Sequence, residues 1–477
     1  MKNLYDHISL KIYNTETKQK EVVFPIDGKQ IRMYACGPTV YNFAHIGNFR
    51  TYVFEDLLRR TLKFFGFDVK MVMNITDVDD KTIKGAIEKN VTLEDFISPY
   101  LDAFFEDLKK LNIEPAHNYP KATEYIQQMI DIILNLIEKG YAYTGSDGSV
   151  YFSVHKFQQY GRLSHLNLNE LKSGASNRVE SDEYDKEEAS DFVLWKAYDP
   201  KRDGKIYWDS PFGQGRPGWH LECSTMAMKI LGKSIDLHCG GVDNIFPHHE
   251  NEIAQSECYS GRQFVKIWAH SEHLLVDGKK MSKSLGNFYT LRDLLNKGYT
   301  GDQVRYMLLH AHYRTQLNFT LKGLDSTAAS LQRIQDFIDR LKDIRSDNEF
   351  GEMDKTIEEF KFKFAGALAD DLNIALALSV LFDFIRLVNQ LIDNNKLGQK
   401  NVDKVLGFLE LLNQVLAFLP LEKSTLKIPN EITEALQKRD EARKAKNWSL
   451  ADELRDFITS KGYLIEDGPS GAKVKKA

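Results

Sequence analysis

The chain has 477 residues, 42% of them hydrophobic and 27% charged, with a formal net charge of -5 at pH 7. This composition is typical of a globular protein. The slightly acidic net charge argues against a protein that coats nucleic acid non-specifically. Four cysteines in so long a chain exclude a disulfide scaffold. Because no export signal and no run of about 18 apolar residues is evident, we expect a cytoplasmic protein with no membrane partner.

The first elements predict a parallel β-sheet. The stretch "IRMYAC", residues 31–36, has the composition of a buried strand, and a turn-rich stretch follows it. Apolar residues then recur with a helical period in residues 51–65, and "VKMVMNI", residues 69–75, is a second strand. Strand, helix and strand in this order form a βαβ unit, which implies parallel pairing.

A long insertion separates the two halves of the predicted sheet. Residues 92–140 are mostly helical in pattern, and residues 141–154 carry a hairpin signal around an Asp-Gly pair. The charged stretch 174–190 is expected to be an exposed loop. Strands return at "SIDLHCGG", residues 234–241, and at "QFVKIWAH", residues 263–270, with a helical segment between them.

Beyond residue 323 the pattern becomes helical. Amphipathic segments with polar breaks predict a bundle, which is followed by a small and only locally basic terminal piece. The predicted fold class is α/β, with a Rossmann-type parallel sheet, an inserted α+β domain, an α-helical bundle and a small C-terminal domain. The corresponding ranges are 1–99 with 216–323, then 100–215, 324–425 and 426–477.

The first chemical motif is "HIGN", residues 45–48, at the predicted start of a helix. Unpaired backbone N–H groups and the helix dipole favour a phosphate there, and Gly47 leaves room for close approach. His45 is suited to donate to phosphate oxygens as charge builds up in a transition state. Taken alone, the motif is better explained as a glycine turn with a capping histidine.

The second motif is "KMSKS", residues 280–284, in a loop with Gly278 and Gly286 nearby. Lys280 and Lys283 are mobile point charges of the kind that binds a polyphosphate. A solvated basic loop is the ordinary alternative for such a stretch.

The two motifs together resemble the signature of the class I aminoacyl-tRNA synthetases. The second motif matches completely, whereas Asn48 stands where the first motif usually has another histidine. Asparagine still donates a hydrogen bond but carries no charge. The resemblance implies that His45, Gly47, Asn48 and Lys283 bind ATP, and that His45, Lys280 and Lys283 are catalytic.

A third motif, "GGVDNIFPHHENE", joins a strand end to histidines and carboxylates. Asp243 follows Gly240 and Gly241 at the carboxyl edge of the predicted sheet, where a carboxylate binds ribose hydroxyls or caps the next helix. The class I resemblance favours ATP binding by Gly241 and Asp243.

The same stretch raises the question of a metal site. On a helix, Glu252 shares a face with His248, four residues away, and with His249, three away. A tetrahedral site needs four ligands, and Cys36 and Cys223 converge here if both halves belong to one sheet. By spacing alone, a His–Glu surface contact and buried free thiols are the simpler explanation.

Longer stretches narrow the resemblance to the cysteinyl-tRNA synthetases, over nearly the whole chain. They are "MYACGPTVYNFAHIGN", "NITDVDDK", "FVLWK", "GRPGWHLECS", "FPHHENEIAQSE" and "KMSKSLGNF". The zinc ligands of that family fall on Cys36, Cys223, His248 and Glu252, so that His249 becomes a neighbour of the site.

The resemblance also implies roles for residues around the amino acid. Trp219 is expected to form a pocket wall, and Thr39 to contact the substrate amino group. Cys239 is expected to be a small buried thiol whose closeness to the site leaves a redox or ligand role open, and Cys258 to be structural. One Zn2+ would select cysteine over serine. An ordinary pocket discriminates between two such similar amino acids only about 10- to 200-fold.

The implied reaction uses ATP with Mg2+ to activate L-cysteine as cysteinyl-adenylate, and then charges the terminal adenosine of tRNA(Cys). We expect a monomer whose insertion guides the acceptor end and whose terminal piece reads the anticodon. Candidate anticodon residues are Arg439, Arg443, Lys444, Lys446 and Trp448, for which a solvated helix face is an equally good explanation.

Two alternatives are weighed against this interpretation. A ligase that joins cysteine to a small amine, as in mycothiol synthesis, shares the catalytic domain but lacks the long anticodon-binding part. Here the chain continues from residue 285 to residue 477. A non-catalytic RNA-binding paralogue is disfavoured because His45, Lys280, Lys283 and the four metal ligands are intact.

Overall fold

The computed structural model of the chain describes residues 8–166, 191–282, 285–422, 429–468 and 471–476. The chain divides into two compact units, Met1–Leu421 and Glu422–Ala477. The loop predicted at residues 174–190 and the second lysine of "KMSKS", Lys283, lie outside the described residues.

Strands occur in both units and are mostly short. They are β1 (Lys11–Asn14), β2 (Gln19–Val22), β3 (Gln30–Ala35), β4 (Asp68–Met73), β5 (Ala142–Thr144), β6 (Val150–Phe152), β7 (Phe192–Ala197), β8 (Gly215–Pro217), β9 (Ile235–Gly241), β10 (Val265–Ser271), β11 (Leu274–Val276), β12 (Lys279–Lys280), β13 (Leu317–Phe319), β14 (Tyr463–Gly468) and β15 (Gly471–Lys476).

Helices alternate with the strands at first and then follow one another. They are α1 (Ile46–Phe64), α2 (Asp80–Lys89), α3 (Leu93–Lys110), α4 (Ile126–Glu138), α5 (Pro200–Asp203), α6 (Trp219–Leu231), α7 (Glu250–Ser260), α8 (Leu291–Asn296), α9 (Gly301–Leu309), α10 (Leu321–Lys342), α11 (Met353–Ala369), α12 (Ile374–Asp393), α13 (Gln399–Leu416), α14 (Asn430–Lys444) and α15 (Trp448–Ser460).

A parallel sheet in the order β10–β9–β3–β4 forms the centre of the first unit. Ala35 of β3 pairs with Met73 of β4 on one side and with Cys239 of β9 on the other, which confirms that the two predicted halves form one sheet. Alternate residues of β3 enter different cores. Met33 packs in the core that contains α1, and Tyr34 packs in the core that contains α6 and α7. The sheet is therefore covered on both faces, as parallel sheets are.

The helix predicted over residues 51–65 begins earlier, at Ile46. Its N-cap is His45, which also forms an isolated antiparallel bridge with Thr290. The apolar periodicity did not extend back to this point because the first turn carries the polar residues of "HIGN". The signal for this start was therefore the capping pair and not the hydrophobic pattern.

The insertion contains an antiparallel sheet in the order β5–β6–β7–β8. The predicted hairpin is confirmed, because Ala142 of β5 pairs with Phe152 of β6 across the Asp-Gly turn. Trp195 and Phe152 of this sheet are fully buried in the same core as α6. The insertion and α6 thus share one hydrophobic core. In the chain, β8 lies directly before α6, the helix that enters the site.

The predicted helical bundle is formed by α10 to α13, with Leu381, Phe384 and Phe408 among its buried residues. In the part of the chain that the structure describes, α12 alone is long and apolar enough to cross a membrane, by length and composition. Half of its apolar window is buried in the protein. Asp383 and Arg386 interrupt its apolar run, so we interpret α12 as a core helix.

The C-terminal unit combines α14 and α15 with a β14–β15 hairpin. Its small core contains Ile432, Ala435 and Ile458. Arg439 crosses from α14 to the hairpin, where its guanidinium donates two hydrogen bonds of 2.9 Å to the carboxylate of Asp467. This pair fixes the hairpin against the helix.

Candidate active site and metal centre

Thiol, imidazole and carboxylate groups meet at the carboxyl edge of the central sheet. Cys36 directly follows β3, and its backbone N–H donates to the carbonyl of Cys239 at 3.1 Å. Cys223 lies on α6, His248 in the helical turn before α7, and Glu252 in the first turn of α7. All these side chains are buried. The fold therefore gathers residues that are far apart in the sequence.

The groups of this cluster are in direct contact. His248 Nε2 lies 3.1 Å from Glu252 Oε1, and Cys223 interacts with Cys36 and His248. The ligand atoms of Cys36, His248, His249 and Glu252 all lie within 4.8 Å of one another, and Cys223 is not among this group. The structure thus gathers three of the four predicted ligands in one group, adds His249 to them, and places Cys223 beside the group.

His249, expected to be only a neighbour of the site, contacts the cluster directly. Its Nε2 is 3.2 Å from Cys36 Sγ and 3.9 Å from Glu252 Oε1, while its Nδ1 is 2.8 Å from His270 Nε2. A β-carbon on Gly240 would lie 2.9 Å from the His249 ring, so glycine is needed there to admit the imidazole. His249 therefore has a contact on each ring nitrogen.

Further histidines surround the cluster, and reasoning from the sequence missed them. Nδ1 of His220 lies 2.9 Å from Nδ1 of His248, and Nε2 of His238 lies 3.2 Å from Glu252 Oε2. His270 is connected through His249, as described above. Position gave a signal for His270, which is the next-to-last residue of β10, close to the edge at which ligands bind in such sheets. His238 lies in the middle of β9, so position gave no such signal for it.

Hydrogen bonds and charges set the protonation of the cluster. The hydrogen bond with Cys36 is the main cause that lowers the pKa of Cys223 to about 6, and the same bond raises the pKa of Cys36. Burial opposes charge on Glu252, but His238 and His248 lower its pKa to about 2. Burial also opposes charge on His248, but the Cys223 thiolate and Glu252 raise its pKa to about 10. The neighbouring groups therefore favour the charged forms of Cys223 and Glu252, against the effect of burial.

The donor set of this cluster fits zinc. Sulfur, imidazole nitrogen and a single carboxylate oxygen are the ligands that zinc takes in proteins, whereas calcium and magnesium require oxygen. Oε1 of Glu252 is buried and accepts no well-oriented hydrogen bond from the described residues. A carboxylate oxygen in this condition is suited to a cation.

An aromatic side chain covers the cluster. Trp219 is the first residue of α6, and its ring stacks on that of His248 with a centroid distance of 4.0 Å and an interplanar angle of 21°. The residue is 40% exposed, which is high for tryptophan. One face of the indole thus borders the buried cluster while the side chain still reaches the surface, as the wall of an open pocket does.

Thr39 lies three residues beyond Cys36. Its backbone forms an isolated parallel bridge with Thr76, and the N–H of Val40 donates to the Thr76 carbonyl at 3.2 Å. The segment after β4 therefore runs alongside the loop after β3. Gly37 permits this approach, because a β-carbon there would lie 1.7 Å from the carbonyl oxygen of Asn74.

The "HIGN" residues form a capping box at the start of α1. The Asn48 N–H donates to His45 Nδ1 at 3.1 Å, and the His45 N–H donates to Asn48 Oδ1 at 3.0 Å. Burial is the main cause that lowers the pKa of His45, although Asp243 acts in the opposite direction. A neutral imidazole that accepts at Nδ1 carries its hydrogen on Nε2, which is therefore a hydrogen-bond donor.

The "KMSKS" loop lies against this capping box. The N–H of Ile46 donates to the Tyr289 carbonyl at 3.0 Å, and a β-carbon on Gly47 would lie 3.2 Å from Cε of Met281. Asn287 closes the loop, since its Oδ1 accepts from the Ser282 N–H at 2.8 Å. Lys280 lies on β12 with an exposed side chain. The two signature motifs are therefore adjacent.

Gly241 ends β9, and Asp243 lies in the short helical turn after it. A β-carbon on Gly241 would lie 2.3 Å from Asp243 Oδ1, so a side chain at this position would displace the Asp243 carboxylate. Asp243 also acts electrostatically on His45, which places its carboxylate near the first motif.

The two remaining cysteines lie apart from the metal cluster. Cys239 is fully buried in the core beneath α1, on the face of the sheet opposite to Cys36. The side chains of adjacent strand residues alternate in direction, which explains how a residue so near in the sheet faces away. Cys258 is 8% exposed near the end of α7. Burial raises the pKa of both thiols, and that of Cys258 to about 12.

Comparison with known proteins identifies the class to which the chain belongs. Residues 22–329 match the family model for the tRNA synthetases class I (C) catalytic domain, and residues 363–421 match the DALR domain. A structure of methionyl-tRNA synthetase from Mycobacterium tuberculosis in complex with methionyl-adenylate aligns with a TM-score of 0.58 at 14% identity. The alignment covers 81% of this chain and 88% of that one. The fold and its adjacent motifs are those of a class I aminoacyl-tRNA synthetase.

Two relatives with high sequence identity identify the family within this class. The chain is 58% identical to the cysteine–tRNA ligase of Protochlamydia amoebophila (strain UWE25) over 470 residues, which are 98% of each chain. It is 56% identical to that of Chlamydia pneumoniae over 475 residues, which are 99% of each chain. The chain belongs to the cysteine–tRNA ligase family and is an aminoacyl-tRNA ligase.

Proposed function

We propose that the chain attaches L-cysteine to the terminal adenosine of tRNA(Cys) in two steps. The cysteine carboxylate attacks the α-phosphate of ATP, which gives cysteinyl-adenylate and pyrophosphate. A hydroxyl of the terminal adenosine then attacks the acyl carbon and releases AMP. The observation that carries this proposal is the buried cluster of thiol, imidazole and carboxylate groups beneath Trp219. This donor set, at the ligand-binding edge of the sheet, supports a zinc site that would bind the thiol of the substrate.

Cys36, Cys223, His248 and Glu252 would hold one zinc ion. His249 competes with Cys223 for the fourth position, because its ligand atom lies within 4.8 Å of those of Cys36, His248 and Glu252. We favour Cys223 because the family resemblance puts a ligand there, because zinc takes thiolate sulfur readily, and because Cys223 interacts with both Cys36 and His248. When bound, zinc supplies a soft Lewis acid that prefers the sulfur of cysteine to the oxygen of serine. Trp219 and Thr39 would enclose the amino acid beside it.

The ATP phosphates would lie at the start of α1. His45 would donate from Nε2 to a phosphate oxygen, and the helix N-terminus would add partial positive charge. Lys280, together with Lys283, would stabilise the charge that develops on the leaving pyrophosphate. Mg2+ would supply further neutralisation of the phosphates when ATP binds.

Gly241 and Asp243 would hold the ribose of ATP. A carboxylate at the carboxyl end of a parallel strand is placed to accept from ribose hydroxyls. Gly47 and Asn48 would complete the ATP site at the start of α1. Because Gly47 has no side chain, the capping box stays open to the nucleotide there.

The C-terminal unit would read the anticodon. Trp448 is 58% exposed at the start of α15, and exposed aromatic rings stack on unpaired bases. Arg439 is only 5% exposed and is bound to Asp467, so we assign it to the structure of the unit. Arg443 also contacts Asp467, at 2.6 Å, but stays partly exposed. We further propose a cytoplasmic monomer, whose insertion would guide the acceptor end.

The decisive experiment is aminoacylation of a tRNA(Cys) transcript with labelled cysteine in the presence of zinc and magnesium. We expect charging that requires ATP and is absent with a tRNA of different identity. Cysteine-dependent ATP–pyrophosphate exchange without charging would favour the ligase for a small amine. The proposal fails if neither reaction occurs with zinc present. A His45→Ala variant serves as the control for contaminating activity, because it removes the phosphate donor without removing a metal ligand.

A further inference from the structure

Three of the stretches that carry the family resemblance contain charged residues with no role in the reaction described so far. They are Asp80 in "NITDVDDK", Lys196 in "FVLWK" and Arg216 in "GRPGWHLECS". In the structure the three meet: Lys196 Nζ lies 3.2 Å from both carboxylate oxygens of Asp80, and Arg216 donates to Asp80 Oδ1. Arg216 Nε also donates to Asp203 Oδ1 at 3.3 Å.

Asp80 contacts both cations of this group. Lys196 and Arg216 are directly opposite each other in the register of β7 and β8, and both are at least nine-tenths buried. Like charges at facing positions of an antiparallel pair repel one another, and burial increases the effect. Because the Asp80 carboxylate contacts both cations, it holds the insertion strands against the start of α2.

Each end of this ion-pair group is connected to a wall of the amino acid pocket. On the α2 side, the segment that leads to Asp80 includes Thr76, whose backbone N–H donates to the Pro38 carbonyl at 3.0 Å and whose carbonyl accepts from Val40. These bonds hold the loop of Thr39. The carboxylate is thus joined to the loop that would contact the substrate amino group.

On the other side, Arg216 stands three residues before Trp219. Between them, the Gly218 N–H donates to the Leu194 carbonyl at 2.9 Å, and a β-carbon on Gly218 would lie 2.1 Å from the Val193 carbonyl oxygen. The chain therefore has little freedom between the buried guanidinium and the indole that stacks on His248.

We propose that Asp80 and Arg216 are positioning residues for cysteine recognition: their ion pair sets the separation between the Thr39 loop and Trp219. The inference rests on the proposed function for the identity of the amino acid, but not for the position of Trp219. Neither side chain touches the reacting atoms. The pair acts by holding the two walls of the pocket at the spacing that cysteine fills.

The test compares Asp80→Asn, Asp80→Glu and a matched control, Asp371→Asn. Asp371 likewise accepts from an arginine, Arg314, and from Tyr313, but it lies in the contact of the bundle with β1. It is fully buried, whereas the Asp80 side chain is 40% exposed. Asp80→Asn is expected to raise the cysteine KM in ATP–pyrophosphate exchange by about tenfold or more, with the ATP KM changed by less than about twofold. Asp80→Glu is expected to restore most of the loss, and Asp371→Asn to lower Tm only.

A second readout does not depend on cysteine. Acrylamide quenching of Trp219, taken as the difference between each protein and its Trp219→Phe version, is expected to increase in Asp80→Asn and to stay at the wild-type value in Asp371→Asn. If wild-type protein shows no cysteine-dependent exchange, the proposed function fails, while the quenching still decides the positioning role.

Unchanged cysteine KM and unchanged quenching in folded Asp80→Asn would overturn the inference. So would the same pattern in Asp80→Asn and in Asp371→Asn, since that would indicate a general structural role. If Asp80→Asn does not fold, Arg216→Lys replaces it, because lysine keeps the charge but loses the planar fork that reaches both carboxylates. The same increase in cysteine KM and in quenching is expected of it.

Discussion

Asn48 has two roles in the proposed site, and substitutions separate them. Its Oδ1 accepts from the His45 N–H at 3.0 Å, which leaves its Nδ2 hydrogens as donors to ATP. Asn48→Asp keeps the acceptor, removes the donor and adds a negative charge at a helix N-terminus. We expect stability to be kept or raised by about 0.3–1 kcal/mol. Loss of a hydrogen bond to a charged group costs about 1.5–3 kcal/mol, so the ATP KM should rise about 10- to 150-fold.

Asn48→Ala removes both roles and is expected to lose about 1 kcal/mol of unfolding free energy as well. The matched control is Gln303→Ala, which breaks the equivalent bond of another capping box, where the Thr300 N–H donates to Gln303 Oε1 at 2.9 Å. The assays are urea denaturation and ATP–pyrophosphate exchange. Gln303→Ala should lose similar stability with an unchanged ATP KM. An unchanged ATP KM in Asn48→Asp would refute the reasoning, because Asn48 would then act only as a cap.

Three further predictions follow from single contacts. Cys223→Ser should lower the zinc content, measured by mass spectrometry, and raise the cysteine KM. Cys239→Ser, on the opposite face of the sheet, should leave both unchanged. Equal zinc content in the two variants would contradict the assignment of Cys223 as a ligand. Gly47→Ala places a β-carbon 3.0 Å from the His45 ring and 3.2 Å from Cε of Met281. The variant should reduce kcat of cysteine activation about 100-fold at unchanged zinc content. Full activity would contradict the closeness of the "HIGN" and "KMSKS" motifs. Arg439 and Arg443 lower the pKa of Asp467 to about 2, below its ordinary 3.8, so its contribution is present above about pH 4 and is lost as pH falls towards 2. Since Asp467 is half-exposed, Asp467→Asn should cost only about 1 kcal/mol by calorimetry, and an undiminished acid dependence in that variant would exclude this pair as its cause.

The order of elements was predictable because the relevant signals are local. Strand composition before and after a helical period predicts a βαβ unit, and the Asp-Gly pair predicts the β5–β6 hairpin. The direction of individual strand side chains was harder to predict in a sheet that is buried on both faces, because the C-terminal halves of β3 and β4 are apolar at successive positions. Cys36 and Cys239 therefore looked like neighbours, although they face different cores.

The candidate metal site was predictable in part. Spacing allowed both His248 and His249 to pair with Glu252, and the structure brings both into the cluster. The surrounding histidines, such as His238, come from other elements, and no local pattern connects them to it. The ion pairs of Asp80 were hidden for the same reason, because they join residues more than one hundred positions apart.

Recognition of a thiol would distinguish the proposed site from an ordinary amino acid pocket. The most direct measurement is ATP–pyrophosphate exchange with cysteine and with serine, side by side, on zinc-loaded protein. An ordinary pocket discriminates such similar side chains only about 10- to 200-fold, so we predict a ratio of kcat/KM values above about 10⁴. A ratio within the range of an ordinary pocket would contradict recognition of the sulfur by the cluster of Cys36, Cys223, His248 and Glu252.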